Sequence, residues 1–181
     1  MPDPIAPTHP LIASGEILPR WSFRLVTTPG TATWNQGTMA SVIFAPHGHR
    51  CPDCAAYIGQ LSTAVERLRE WATRAMVLVA PEFEFVGSVA PADRAGVILL
   101  ADEGGTGRAR LGVREDQAAV VQADRWGAVY QVETIGAGGP AHAELPAPRD
   151  LVALAQFIDI QCPECGVPSK EWMSATPFPL G

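Results

Sequence analysis

Positive charge is scarce in this 181-residue chain. Lys and Arg number 13 against 19 Asp and Glu, giving a net charge of -6 and a pI near 5.1. A basic surface supplies most of the affinity for nucleic acid or an anionic membrane, so neither is an expected partner. Long apolar runs are missing too: none approaches the ~18 residues of a membrane span, and candidates such as Met76-Ala80 and Gly96-Ala101 are strand-sized. At the N-terminus Asp3 stands where a secretory signal carries positive charge, and Pro2, Pro4, Pro7 and Pro10 interrupt any hydrophobic segment. These absences predict a soluble, cytoplasmic protein. Gly104-Gly105-Thr106-Gly107 lacks both the Gly-Lys-Ser/Thr ending of a phosphate loop and a dinucleotide fingerprint, and reads as a flexible connection. No serine is placed with a His and an acid for acyl transfer.

Apolar residues make up 47% of the chain and charged residues 18%, enough hydrophobic surface for a core and a length suited to one domain. Residues 1–15 form a Pro-rich arm without periodicity, residues 16–161 the domain, and residues 162–181 an irregular tail. "WSFRLV" (Trp21-Val26) alternates as a strand does, and "MASVIFA" (Met39-Ala45) is an apolar run suited to the middle of a sheet. Between Pro52 and Arg74 the residues Ala55, Ile58, Leu61, Val65, Leu68, Trp71 and Ala72 recur every three or four positions, which predicts an amphipathic helix. "AMVLVAP" and "AGVILLAD" are two further buried-type strands, followed by a short helix or turn at "RARLGV". "QAAVVQAD" and "GAVYQVET" flank Asp124-Arg125-Trp126-Gly127 as a hairpin, and Asp150-Ile160 has helical spacing. Strands alternating with helices and ending in an antiparallel pair predict an α/β fold, a mixed central sheet with helices on both faces.

The four cysteines form two Cys-x-x-Cys units, Cys51-Pro52-Asp53-Cys54 and Cys162-Pro163-Glu164-Cys165, the one internal echo in the chain. In a reducing compartment such pairs point to redox catalysis or metal binding rather than structural disulfides. Cys51 precedes the predicted helix, where unpaired backbone N–H groups and the helix dipole stabilise a thiolate, and Pro52 has the φ that starts a helix. Two intervening residues keep Cys54 one turn away, within reach of a mixed disulfide at Cys51. His47, His49 and Arg50 bring positive or titratable charge to the approach, favouring thiolate over thiol.

"VIFAPHGHRCPDC" resembles the strand, loop and Cys-Pro-x-Cys helix start of the thioredoxin-like superfamily, in particular its redoxin branch of thiol-specific antioxidant proteins. "LGVREDQAAVVQADRWGAVYQV" resembles the Gly-Val segment and hairpin of the same branch, so the likeness spans roughly residues 16–160. It implies a thioredoxin-like fold and thiol–disulfide exchange, with Cys51 as attacking thiol, Cys54 as resolving thiol, and a substrate protein or small thiol as partner. Where thioredoxins carry a proline before the hairpin strand, this chain has Asp116-Gln117-Ala118. The peroxidatic Pro-x-x-x-Thr-x-x-Cys pattern of peroxiredoxins is not matched either, since Phe44 and Gly48 occupy its proline and threonine positions; a peroxidase is a further alternative.

Cys162-Pro163-Glu164-Cys165-Gly166 resembles a zinc-ribbon or rubredoxin knuckle, but 107 residues lie between Cys54 and Cys162, far more than the ~12–20 of a ribbon. In a thioredoxin-like fold the last helix runs away from the active-site edge, so the two pairs are not expected to meet within one chain. The second pair is therefore open to four readings: a metal knuckle completed across a homodimer, a second redox pair, a local disulfide, or an inert tail. His47, His49, Cys51 and Cys54 also have residue types suited to zinc. The expectation is exchange catalysis without a cofactor, with a zinc- or iron-binding protein as the alternative. His142 and the Glu82/Glu84 alternation are read as a loop histidine and a solvated face.

Overall fold

The computed structural model of the protein describes residues 10–34, 38–47, 51–80, 91–136 and 144–161. Seven strands form one mixed sheet: β1 (Ser22–Leu25), β2 (Thr31–Thr33), β3 (Ala40–Ala45), β4 (Thr73–Val79), β5 (Ile98–Ala101), β6 (Gln117–Ala123) and β7 (Val129–Gly136). Three α-helices accompany them: α1 (Pro52–Glu70), α2 (Thr106–Leu111) and α3 (Pro148–Ile160). The strand order is β2-β1-β5-β4-β3-β6-β7, with β3, β4 and β5 parallel and every other pairing antiparallel. This is the mixed α/β sheet that the order of elements predicts.

β3 lies near the middle of the sheet and is buried along its whole length. Its side chains alternate between two cores, as the two-residue period of a strand requires. Val42 and Phe44 face a layer made by α1 and α3, through Tyr57, Ile58, Leu61, Val65, Leu151 and Ala155. Ile43 and Ala45 face the opposite layer, made by Leu111, Val113, Phe23 and Trp34 together with Ile12 and Leu18. Each large aliphatic side chain buried this way contributes roughly 1.5–3 kcal/mol of transfer free energy.

The arm is tied to the domain before residue 16. Ile12 N–H donates to the Leu111 carbonyl (3.0 Å), Gly15 N–H to Val129 (2.8 Å), and Leu18 N–H to Gly127 (2.8 Å). Ile17 bridges to Ala128, so the arm acts as a short extra strand beside the hairpin. It crosses directly over Gly112, where a Cβ would lie 2.2 Å from the Pro10 carbonyl oxygen.

α1 ends at Glu70 rather than running to Arg74. Ala72 takes a left-handed conformation with φ 45°, and Thr73 is already in β4. The apolar spacing continues past the helix end because Trp71 still packs on the core, although it is no longer in the helix. No helix among the described residues is long and apolar enough to cross a membrane.

Candidate active site

The parallel course of β3 and β4 carries the chain out of β3 at Ala45, through Pro46 and His47, and into α1 at Cys51. Cys51 is the N-cap of α1, with extended backbone (φ -130°, ψ 110°) and Pro52 as the first helical residue. Its sulfur takes the place of the usual capping oxygen, accepting the N–H of Cys54 at 3.4 Å. An otherwise unsatisfied amide of the first turn is thereby directed at Cys51 Sγ, as the sequence predicts.

Cys54 lies one turn inside the helix and is fully buried, whereas Cys51 retains 8% of its surface. The Cys54 sulfur accepts the backbone N–H of His47 at 3.4 Å and lies 3.4 Å from the same residue's Nδ1. Burial pushes the Cys54 thiol well above the ordinary thiol range; the His47 amide pulls the other way, and the adjacent Cys51 sulfur adds to the rise. His47 thus touches Cys54 directly. A nitrogen of His47 and the two sulfurs all lie within 4.8 Å of one another, and the two cysteines are not joined by a disulfide. These three residues could also hold a thiophilic metal. His49 and Arg50, predicted to share the site, fall outside the described residues, as do Cys162 and Cys165, His142, and Glu82 with Glu84.

One site residue was not predicted from sequence. Arg108, on α2, is 8% exposed, and its guanidinium donates to the carbonyls of Pro46, Arg114 and Gln117 (2.7 Å to the last). It bridges the loop entering α1 and the loop entering β6, two segments brought side by side by the β3–β6 register that opposes Ala45 to Ala119. Desolvation lowers its pKa from the ordinary guanidinium value, while neighbouring Asp102 and then Cys54 oppose that shift, placing the guanidinium within electrostatic reach of the buried sulfur. Asp102, fully buried at the end of β5, accepts the N–H of Gly107 (2.6 Å) and of Arg108 (3.2 Å), fixing the start of α2. The Gly104–Gly107 segment is therefore a pinned turn instead of a loose connection: Gly104 and Gly105 adopt positive φ, and Gly107 packs on Phe23. A buried Asp at the end of an apolar strand, followed by two glycines, was the available sequence signal.

On the rim, where thioredoxins carry proline, Arg114 and Asp116 form a two-bonded ion pair (2.9 and 2.6 Å), and this pairing holds the Asp116 carboxyl below the usual carboxylate range. α3 begins beside the first turns of α1: Tyr57 donates its hydroxyl to the Pro146 carbonyl at 2.8 Å.

No protein-family model matches the chain, and no curated protein matches it in sequence. Solved structures do. A thiol:disulfide interchange protein from Bacteroides sp. aligns with a TM-score of 0.61 at 10% identity, covering 82% of this chain and 91% of its own. The thioredoxin domain of a thiol-disulfide oxidoreductase from Bacteroides vulgatus gives 0.60 at 11%, covering 81% and 99%. The reduced 2-Cys peroxiredoxin of Plasmodium vivax gives 0.62 at 17%, covering 80% and 97%. At these identities the likeness speaks to the fold, and the fold is thioredoxin-like, shared with thiol:disulfide interchange proteins and peroxiredoxins alike.

Proposed function

We propose that the protein is a thiol–disulfide oxidoreductase in which Cys51 attacks and Cys54 resolves. The supporting observation is the asymmetry of the pair. One sulfur caps a helix and keeps some exposure; the other, within 4.8 Å, is fully buried and held protonated by its surroundings. A thiol that stays protonated is a poor nucleophile, so the first attack falls to Cys51.

In the reductive direction the Cys51 thiolate attacks a disulfide R–S–S–R′, forming Cys51–S–S–R and releasing R′S⁻, which takes a proton from water. Cys54 then loses its proton and attacks Cys51 Sγ, closing the Cys51–Cys54 disulfide and releasing the second thiolate. The substrate gains two electrons and the Cys pair loses two; an external thiol or dithiol restores the pair. His47 Nδ1, 3.4 Å from Cys54 Sγ, is the base placed to take that second proton. Forming the bond requires the sulfurs to close from within 4.8 Å to about 2.05 Å, a movement that rotation about the Cys51 side chain can supply at a helix edge. The partner class is a disulfide-bearing protein or a small disulfide.

The test uses the full chain with Cys162 and Cys165 replaced by Ser, so that only the first pair reports. Equilibration in glutathione redox buffers should yield a Cys51–Cys54 disulfide that forms and reduces reversibly. Cys54→Ser should accumulate a mixed disulfide with a small disulfide substrate, and Cys51→Ser should give none. Equal trapping at Cys54 in the Cys51→Ser protein would overturn the assignment.

A further inference from the structure

We propose that His47, Cys51 and Cys54 form a metal site for a thiophilic d¹⁰ cation, Zn(II) or Cu(I), open only in the reduced protein. The inference rests on the reduced geometry and does not depend on the exchange reaction.

The donor set comes first. Two cysteine sulfurs and one imidazole nitrogen are the ligand types that thiophilic cations select over oxygen donors. The three ligand atoms come from two pieces of backbone, the segment leaving β3 and the first turn of α1, and lie within 4.8 Å of one another. A metal at about 2.3 Å from sulfur and 2.0–2.1 Å from nitrogen holds its ligand atoms about 3.6–4 Å apart. The Cys54 Sγ to His47 Nδ1 separation is 3.4 Å, already close to that edge without a metal. Closing the remaining gap takes shifts of about 1 Å or less.

The surroundings favour the same class. All three side chains are buried, at 8%, 8% and 0% exposure, so few water molecules compete for the cation. Backbone anchoring limits the rearrangement that binding requires, since Cys51 is fixed as the N-cap and the His47 amide points at Cys54. The nearby Arg108 guanidinium opposes a cation, but the two sulfurs, once they give up their protons to the metal, outweigh one positive charge. Binding exchanges two S–H protons for two metal–sulfur bonds, and the protons pass to the buffer. Oxidation of the pair to the Cys51–Cys54 disulfide removes both sulfurs as ligands. Metal and disulfide are therefore alternative occupants of one place, and a bound ion would shield both thiols from oxidation and alkylation.

The experiment uses the full chain with Cys162→Ser and Cys165→Ser, so that the tail pair cannot contribute. The protein is reduced, freed of reductant without oxygen, and titrated with Zn(II) against a chromophoric competitor; a second arm uses Cu(I) with its own competitor. One ion per chain is expected, taken up together with protection of both thiols from a thiol reagent. Uptake of either ion alone supports the site and identifies the cation it prefers. His47→Gln and Cys54→Ser should each weaken uptake at least about tenfold, because even residues behind a ligand cost 10–100-fold when removed. Diamide oxidation should abolish it. Co(II) loading of the same Cys162→Ser, Cys165→Ser chain reads the site without a further variant: thiolate-to-cobalt charge-transfer absorption with tetrahedral bands is expected. Absence of uptake of both ions, uptake indifferent to His47→Gln, or an octahedral cobalt spectrum would each overturn the proposal.

Discussion

Arg108→Ala tests whether a buried guanidinium holds the two loops of the site together. The side chain donates to three carbonyls: Arg114 in the loop between α2 and β6, Gln117 at the start of β6, and Pro46, 62 residues away in sequence. Each hydrogen bond to a charged donor contributes roughly 1.5–3 kcal/mol, and each buried carbonyl left without a donor costs about 1–3 kcal/mol. These figures cannot simply be summed, because the native protein already bears the desolvation of the guanidinium, and water can reach part of the vacated space. Truncation also removes the positive charge that interacts with fully buried Asp102. Loss of one partner from such a set costs about 3–5 kcal/mol, a large share of a typical 5–15 kcal/mol total. Urea unfolding under reductant should show a midpoint lowered by roughly 1.5–2.5 M, taking a slope of about 2 kcal/mol per M. Arg108→Lys should recover the attraction to Asp102 but not the three-way bridge, since an ammonium cannot span carbonyls that a planar fork reaches, and should fall between the two. Arg110, two residues on, serves as the control: it stacks over the Trp21 ring at 3.6 Å, and its truncation should cost about 0.5–1 kcal/mol. An Arg108→Ala midpoint no lower than that of Arg110→Ala would refute the clamp.

Two further outcomes follow from the structure. Burial raises Tyr57 well above the ordinary tyrosine range and Tyr130 up to about 12, so the folded state keeps protons that the unfolded chain releases. That contribution is intact below about pH 10, the unfolded value, and is lost above it at up to about 1.4 kcal/mol per pH unit for each group; Tyr57→Phe should flatten the alkaline slope of unfolding free energy measured under reductant, and an unchanged slope would count against the assignment. Gly112→Ala puts a Cβ on the Pro10 carbonyl at a φ of 68°, which L-residues adopt at a cost of about 1–2 kcal/mol even without a clash; it should lift the arm, seen as faster hydrogen exchange at Ile12 while β3 amides stay protected, and equal protection at Ile12 would show that the arm does not bear on this glycine.

Much of the fold was legible because it rests on period and local chemistry. β3 to β6 are apolar runs of strand length, and α1 shows its buried stripe at every third or fourth residue, so the buried strands and the helix packed on them could be named before any contact was known. β2 was not legible. Three residues cannot display an alternation, and Thr31–Thr33 is a strand only because β1 lies beside it. Trp126, in the hairpin turn, is 50% exposed. Asp124 explains why: its carboxylate accepts the N–H groups of Trp126 and Ala128, both at 2.8 Å, closing a turn tight enough to point the ring outward.

The site divides along the same line. Its cysteines were visible because spacing within a motif is local: one residue outside a helix and one a turn inside it face different surroundings whatever the rest of the chain does. The consequence of that step proved larger than the motif states, since it separates a capping sulfur from a fully buried one. His47 could be placed near the pair from sequence but not assigned between the two sulfurs, because its contact with Cys54 depends on how the first turn of α1 folds back over the segment leaving β3. Arg108 was hidden for a stronger reason. A charged residue in "GRARLGV" reads as solvated, and of the carbonyls that reverse this, Pro46 comes from a distant segment that the β3–β6 pairing brings alongside. Local pattern can show which sulfurs are paired. Which groups surround them is decided by strand register and helix packing, and burial, ahead of any single charge, sets the chemistry of the inner sulfur.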